Sequence, residues 1–169
     1  MSTIVFSFCL SLWLQADTLL LLSEHNIPNT ARLVGSGSLT GFGSYVVIGP
    51  VGKHVGADAD PAVIAQVAID IARCIQRMAE DASVLHCDIS ANNILVTPDG
   101  HGLLVDFGSA LVGHASIGNK RVIGTVLYSA FSVLWDECNS VSSELESLFY
   151  SLLSMALDGE VSWVVVGWR

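Results

Sequence analysis

The chain has 169 residues, 51% of them apolar and 14% charged, which is enough hydrophobic material for one core. Its formal net charge of -9, with no Lys/Arg cluster beyond Lys120-Arg121, excludes an extended nucleic-acid-binding surface. Cys9, Cys74, Cys87 and Cys138 show neither a C-x-x-C pair nor histidines at zinc spacing, so reduced thiols in an intracellular protein are expected.

Residues 1–22 carry a single charged side chain, Asp17, and resemble an export signal in composition, with Ala16 as the cleavage point such a signal would use. No basic residue precedes the apolar run, Leu14 stands where a small side chain is preferred, and Asp17 interrupts any membrane span. A buried helix under a sheet is therefore expected, with no membrane partner. Residues 35–44 are rich in Gly and Ser and read as a flexible turn between two strands. Tyr45-Val46-Val47-Ile48 is then a strand, followed by the short segment Gly49-Pro50-Val51-Gly52.

Asp60-Pro61 opens a helix, with Asp60 as N-cap and Pro61 in the first helical position. Ile64, Val67, Ile71, Cys74, Ile75 and Met78 mark its apolar face, while Gln66, Asp70, Arg73, Arg77 and Glu80 are expected to point outward. Beyond it, Ile94-Leu95-Val96 and Leu103-Leu104-Val105 are short apolar runs separated by the turn chemistry of Thr97-Pro98-Asp99-Gly100. A hairpin follows from that pattern, and it brings Asn93 and Asp106 together on adjacent strand ends. A last helix is expected to start at a capping box between Ser143 and Glu146 and to run to Gly159, with Leu145, Leu148, Phe149, Leu152 and Leu153 in the core.

The chemistry concentrates at His86-Cys87-Asp88-Ile89-Ser90-Ala91-Asn92-Asn93 and at Asp106-Phe107-Gly108. An aspartate and an asparagine five residues apart can hold a nucleophilic hydroxyl and a magnesium ion on one loop, and the later aspartate adds a second metal contact. His86 reads as a buried structural histidine bonded to nearby backbone, not as a proton carrier.

These positions resemble the catalytic loop and metal loop of the eukaryotic protein kinase superfamily, matching at His86, Asp88, Asn93, Asp106, Phe107 and Gly108. Small-molecule phosphotransferases of the aminoglycoside and choline type share the H-x-D-x-x-x-x-N loop. However, Gly124-Thr125-Val126-Leu127-Tyr128-Ser129-Ala130 is similar to the end of a protein kinase activation segment. Glu144-Leu145-Glu146-Ser147-Leu148-Phe149-Tyr150 is similar to the start of the central helix in casein-kinase-like and fungal-type kinases. Ile89-Ser90 and the Gly49-to-Gly52 segment point to the fungal-type protein kinase family, and the resemblance covers about residues 25 to 160.

The resemblance implies an α+β, protein kinase-like fold, mostly C-lobe with a partial small lobe. Residues 1–48 would be the remnant of the small lobe, 49–54 the hinge and 55–169 a partial C-lobe. It implies ATP and Mg2+ as cofactors and Ser/Thr hydroxyls of a protein substrate as acceptors. Asp88 and Asn93 would be catalytic, Asn93 and Asp106 metal-binding, and Gly49, Pro50, Val51, Phe107 and Gly108 would contact or shape the nucleotide site. Thr125 would contact Asp88 and position the substrate.

The sequence also departs from the pattern usual in protein kinases. Cys87 stands where many kinases have an arginine that senses activation-loop phosphorylation, Glu144 where an aspartate usually ties down the catalytic loop, and Ser132 where a glutamate is usual; Ser90 replaces the usual lysine, although the fungal-type family also carries serine there. No lysine precedes Lys53, which is only 35 positions before Asp88, so a phosphate-anchoring lysine and its glutamate have no counterpart. A truncated domain, lacking the glycine-rich loop and the C-terminal helices, is the expectation. A pseudokinase serving as a binding module is the alternative.

Overall fold

A computed structural model of the protein describes residues 3–5, 11–41, 43–56, 58–113, 124–135 and 138–157; the Lys120-Arg121 pair and Gly159 lie outside these. Strand β1 (Thr3–Val5), helix α1 (Ser11–Glu24), β2 (Arg32–Leu39) and β3 (Gly43–Gly49) form the first part of the chain. The sheet is antiparallel in the order β1-β3-β2. The helix expected under a sheet is α1: Ala16, Leu19 and Leu22 are buried, and the helix packs against β2, β3 and the turn at Phe107. No described helix is long and apolar enough to cross a membrane.

The Gly/Ser-rich stretch differs from the expectation, because residues 35–39 are strand and the turn is described only at 40 and 41. Gly37 faces Tyr45 across the ladder, and a Cβ on Gly37 would sit 2.7 Å from the Tyr45 hydroxyl oxygen. The aromatic ring fills the room that the missing side chain leaves, so glycine here marks a close approach within a strand rather than a flexible turn.

After the short strand β4 (Lys53–His54) comes α2 (Pro61–Ala82), which starts where the sequence signals it. The Asp60 side chain accepts from Ala62 N at 2.8 Å, and Pro61 needs no N–H partner in the first turn. Val67, Ile71, Cys74, Ile75 and Met78 are fully buried along one face. Replacing Asp60 by Ala is expected to lower stability by about 1 kcal/mol, the usual worth of an N-cap, as read by urea denaturation. Asp70 contradicts the expected outward face and is buried. Its carboxylate accepts hydrogen bonds from Gly102 N and Gln66 Nε2, which removes the objection to burying it.

The second half of the chain builds β5 (Val84–Leu85), β6 (Ile94–Val96), β7 (Gly102–Leu104) and β8 (Leu111–Val112), then α3 (Phe131–Leu134) and α4 (Val141–Ala156). The expected hairpin is β6-β7, with β4 added beside β6; β5 pairs with β8. Leu104 also joins the first part of the chain to the second: its N donates to Asn29 O at 2.8 Å and its O accepts from Ala31 N at 2.9 Å.

Helix α4 starts earlier than expected. Ser140 is the N-cap and Ser143 its reciprocal partner, so the capping box is Ser140-Ser143 and not Ser143-Glu146. The face turned to the core carries Glu144, Leu148, Ser151 and Met155, spaced at three and four residues. Leu145 and Phe149, expected in the core, therefore stand off that face and are 43% and 59% exposed.

Candidate active site

The site grows from the end of α2. Ser83 closes the helix in a left-handed conformation, and the chain passes through β5 into the loop 86–93. His86 is fully buried, with Nε2 3.0 Å from Val105 O, while its Nδ1 accepts from Asp88 N at 3.2 Å. This pair of bonds fixes the tautomer with the proton on Nε2. Burial holds the imidazole below its usual range and keeps it neutral, despite the opposing pull of the Val105 carbonyl and the Asp88 and Asp106 charges. Its ring meets Phe107 edge to face at 4.7 Å, so His86 and Phe107 together tie the two loops into one core. The sequence-based reading of His86 as structural agrees with this geometry.

Cys87 adopts φ +64°, a conformation that costs energy for a side chain with a Cβ. Its N donates to Glu144 Oε1 at 2.8 Å, which holds the kink in place. The thiol is pushed up to about 12, mainly by burial and then by the Glu144 charge, so it is not a nucleophile. Glu144 is itself buried, and burial raises its carboxyl to about 7 against the opposing pull of backbone N–H groups at 86 and 87. Its Oε2 has no hydrogen-bond partner among the described residues, as is also true of the Ser90 hydroxyl.

Asp88 is the most constrained side chain of the loop. Oδ1 accepts from Thr125 N at 2.7 Å and from Thr125 Oγ1 at 2.8 Å, and Oδ2 accepts from Asn93 Nδ2 at 3.1 Å. Asn93 Nδ2 also donates to Asp88 O at 2.9 Å. These bonds commit the Asn93 amide nitrogen and leave its Oδ1 as the acceptor for a ligand. Gly124 makes the Thr125 contact achievable, since a Cβ there would lie 2.5 Å from Cys87 O and its φ is +101°. The sequence names Gly124 as the head of the segment 124–130 but carries no sign of its close approach to Cys87.

The hairpin delivers the second acidic group. Val105 N donates to Asn93 O at 3.0 Å, so the residue preceding Asp106 is bonded to the backbone of Asn93. Asp106 is exposed, in a left-handed conformation, and its Oδ1 accepts from Gly108 N at 3.3 Å. Phe107 below it is fully buried, and Gly108 lies in the short 3-10 turn Phe107–Ser109. Gly49 ends β3, and Pro50 and Val51 lead on to Gly52 and to β4, which pairs with β6. At Gly52 a Cβ would lie 2.7 Å from Leu95 Cβ and 3.2 Å from Val96 O. Gly52 therefore packs closely against the strand that begins directly after Asn93. Of the expected site residues, Asp88, Asn93 and Thr125 are in direct contact, Asp106 to Gly108 are adjacent through the hairpin, and 49–51 directly precede Gly52, which packs against β6.

For magnesium, the donor set offers hard oxygens, Asn93 Oδ1 and the Asp106 carboxylate, with no nitrogen or sulfur competitor among them. The described residues hold no group of three or more His, Cys, Asp and Glu that could bind a metal alone. A pair of protein oxygens fits an ion that takes its remaining ligands from phosphates and water.

Residues 25–156 match the fungal protein kinase family. The chain belongs to that family. Among curated relatives, this kinase domain is 27% identical over 53% of its length to a protein kinase and PP2C-like domain-containing protein of Oryza sativa subsp. japonica, covering 16% of that protein. It is 34% identical over 40% of its length to a probable serine/threonine-protein kinase of Dictyostelium discoideum, covering 14% of that protein. Among solved structures, the kinase PK-1 of Cydia pomonella granulovirus superposes with TM-score 0.68 at 16% identity over 92% of this chain and 58% of its own. Vaccinia related kinase 3 superposes with TM-score 0.69 at 19% identity over 90% of this chain and 54% of its own. The mixed helix and strand architecture is thus the protein kinase fold, and the chain spans a little over half of those structures.

Proposed function

We propose that this domain transfers the γ-phosphoryl group of ATP to Ser or Thr hydroxyls of proteins. The observation that carries the reading is the Asp88 carboxylate, clamped by Thr125 and Asn93 on a loop bonded through the hairpin to Asp106. In this reading residues 1–48 are the remnant of a small lobe, 49–54 the hinge and 55–169 part of the large lobe. The Gly49 and Val51 backbone meets the adenine, while Pro50, lacking an N–H, shapes the turn. Phe107 and Gly108 set the position of Asp106.

Asp88 orients the acceptor hydroxyl and takes its proton as the new bond from oxygen to phosphorus forms. The bond from the γ-phosphorus to the bridging oxygen breaks, and ADP leaves. Asn93 Oδ1 and the Asp106 carboxylate would hold a magnesium ion, which when bound would supply neutralisation of charge on the nucleotide phosphates. Thr125 keeps Asp88 aimed at the acceptor. Replacing Thr125 by Val removes one of two donors to Oδ1 and is expected to lower turnover about tenfold at unchanged ATP affinity, as read by initial rates.

A second reading, a pseudokinase that binds a partner or nucleotide without turnover, is favoured by one observation. The first lysine of the chain is Lys53, and the only earlier cation, Arg32, is exposed at the start of β2. Calorimetry on the full chain tests the nucleotide site. Weak ATP binding that requires magnesium is expected, because hinge and metal groups are present without an anchoring lysine. Tight binding indifferent to magnesium would contradict the proposed contacts.

A further inference from the structure

Asp70 is an anomaly on α2. It occupies a position that an apolar side chain would fill at no electrostatic cost, yet it is a carboxylate with 5% exposure. Every described contact it makes points to one end of the β6-β7 hairpin or holds it toward that end. Oδ2 accepts from Gly102 N at 2.9 Å and lies 3.0 Å from His101 Nδ1, while Gln66, one turn earlier on α2, donates to Oδ1 at 2.9 Å. Gly102 permits this approach: a Cβ there would lie 3.2 Å from both Asp70 Cβ and Val67 O. Its carbonyl, on the other side, accepts from Asn29 Nδ2 at 2.8 Å.

We infer that Asp70 is a positioning residue for the metal-binding hairpin, fixing the register of β7 and through it the placement of Asp106 against Asn93. The inference rests on the reading of Asn93 and Asp106 as metal ligands. β6 and β7 are three residues each, too short to hold a register alone. A slip of one residue would turn each β7 side chain to the opposite face. The strand runs only from Gly102 to Leu104 before Val105 bonds to Asn93 O, so an anchor on the first residue constrains the last. The bond to Gly102 N is charge-assisted and shielded from water, which makes it the strongest single restraint on that end of the hairpin. His101, whose ring is half exposed, steadies the same oxygen from the solvent side.

The test compares two affinities in the full chain by calorimetry. Adenosine reads the hinge without phosphates or metal, and the gain in ATP affinity between EDTA and saturating Mg2+ reads the metal pair. Asp70→Ala, which leaves the Gly102 N–H without its acceptor, is expected to cut the magnesium-dependent gain about tenfold while adenosine affinity stays at the wild-type value. Asp70→Asn keeps an acceptor oxygen but loses the charge, and a cut of about threefold is expected. An undiminished gain in Asp70→Ala, or an equal fall in adenosine and ATP affinity, overturns the inference while leaving the nucleotide reading intact. Wild-type protein showing no magnesium-dependent gain overturns the metal assignment itself and this inference with it. Should Asp70→Ala not fold, Asp70→Asn decides by the same two affinities.

Discussion

Asp88→Asn is expected to lower phosphoryl transfer by about 10²-fold or more, the usual contribution of a positioned base, while ATP affinity stays close to wild type. An amide has no basic oxygen to take the hydroxyl proton. The substitution is also confined in its structural effect. The amide oxygen can keep the two bonds from Thr125, but its NH2 group then faces Asn93 Nδ2, donor against donor. Asn93 retains its other bond, to Asp88 O, so its oxygen stays presented to the metal. Initial rates and calorimetry on the same preparation check both halves. Equal rates in wild type and variant would assign the activity to a contaminating kinase.

The second large effect lies in stability and its pH dependence. An unfolded glutamate titrates near its ordinary value, whereas burial raises Glu144 in the folded chain to about 7. Between those values the folded state binds more protons than the unfolded one. The contribution of Glu144 is therefore complete below the ordinary glutamate range and is lost as pH rises through about 7. For a shift of this size the loss is about 3 kcal/mol. Glu144→Gln keeps an acceptor for Cys87 N without a charge, so relative to wild type its stability should not fall between pH 5 and 8, and it should be the more stable protein at pH 8. Glu144→Ala leaves that buried N–H unpaired and should cost about 2–4 kcal/mol throughout. Urea denaturation at several pH values reads all three curves. Parallel curves for wild type and Glu144→Gln would remove Glu144 as the titrating group.

The elements legible in the sequence are those whose determinants lie close together in it. Asp60-Pro61 and the apolar spacing from Val67 to Met78 define α2 from local chemistry alone, and Thr97-Pro98-Asp99-Gly100 marks the hairpin turn. What was hidden depends on distant partners. Asp70 looks like a solvent-facing acid because Gly102, which makes its burial tolerable, is 32 residues away. Gly37 looks like a turn residue because the Tyr45 ring that covers it comes from the neighbouring strand. The start of α4 was misplaced because Ser143-Glu146 matches a capping box in spacing, while the helix uses the serine three residues earlier. At the site, Asp88, Asn93 and Asp106 could be read from motif spacing. The close approach of Gly124 to Cys87 and the Glu144 oxygen that finds no partner among the described residues could not, since both arise where chain segments far apart in sequence meet.

The claim that this site is a magnesium-dependent phosphotransfer centre is tested most directly with γ-labelled ATP and peptide pools offering Ser/Thr or Tyr acceptors. Wild-type chain and Asp106→Asn are compared side by side, with ATP affinity measured in the same buffer. The account predicts label on the Ser/Thr pool with wild type only, and a loss of both transfer and magnesium-dependent ATP affinity in Asp106→Asn. Wild-type chain that labels neither pool, with ATP affinity the same in Asp106→Asn, would contradict it and leave a binding module in its place.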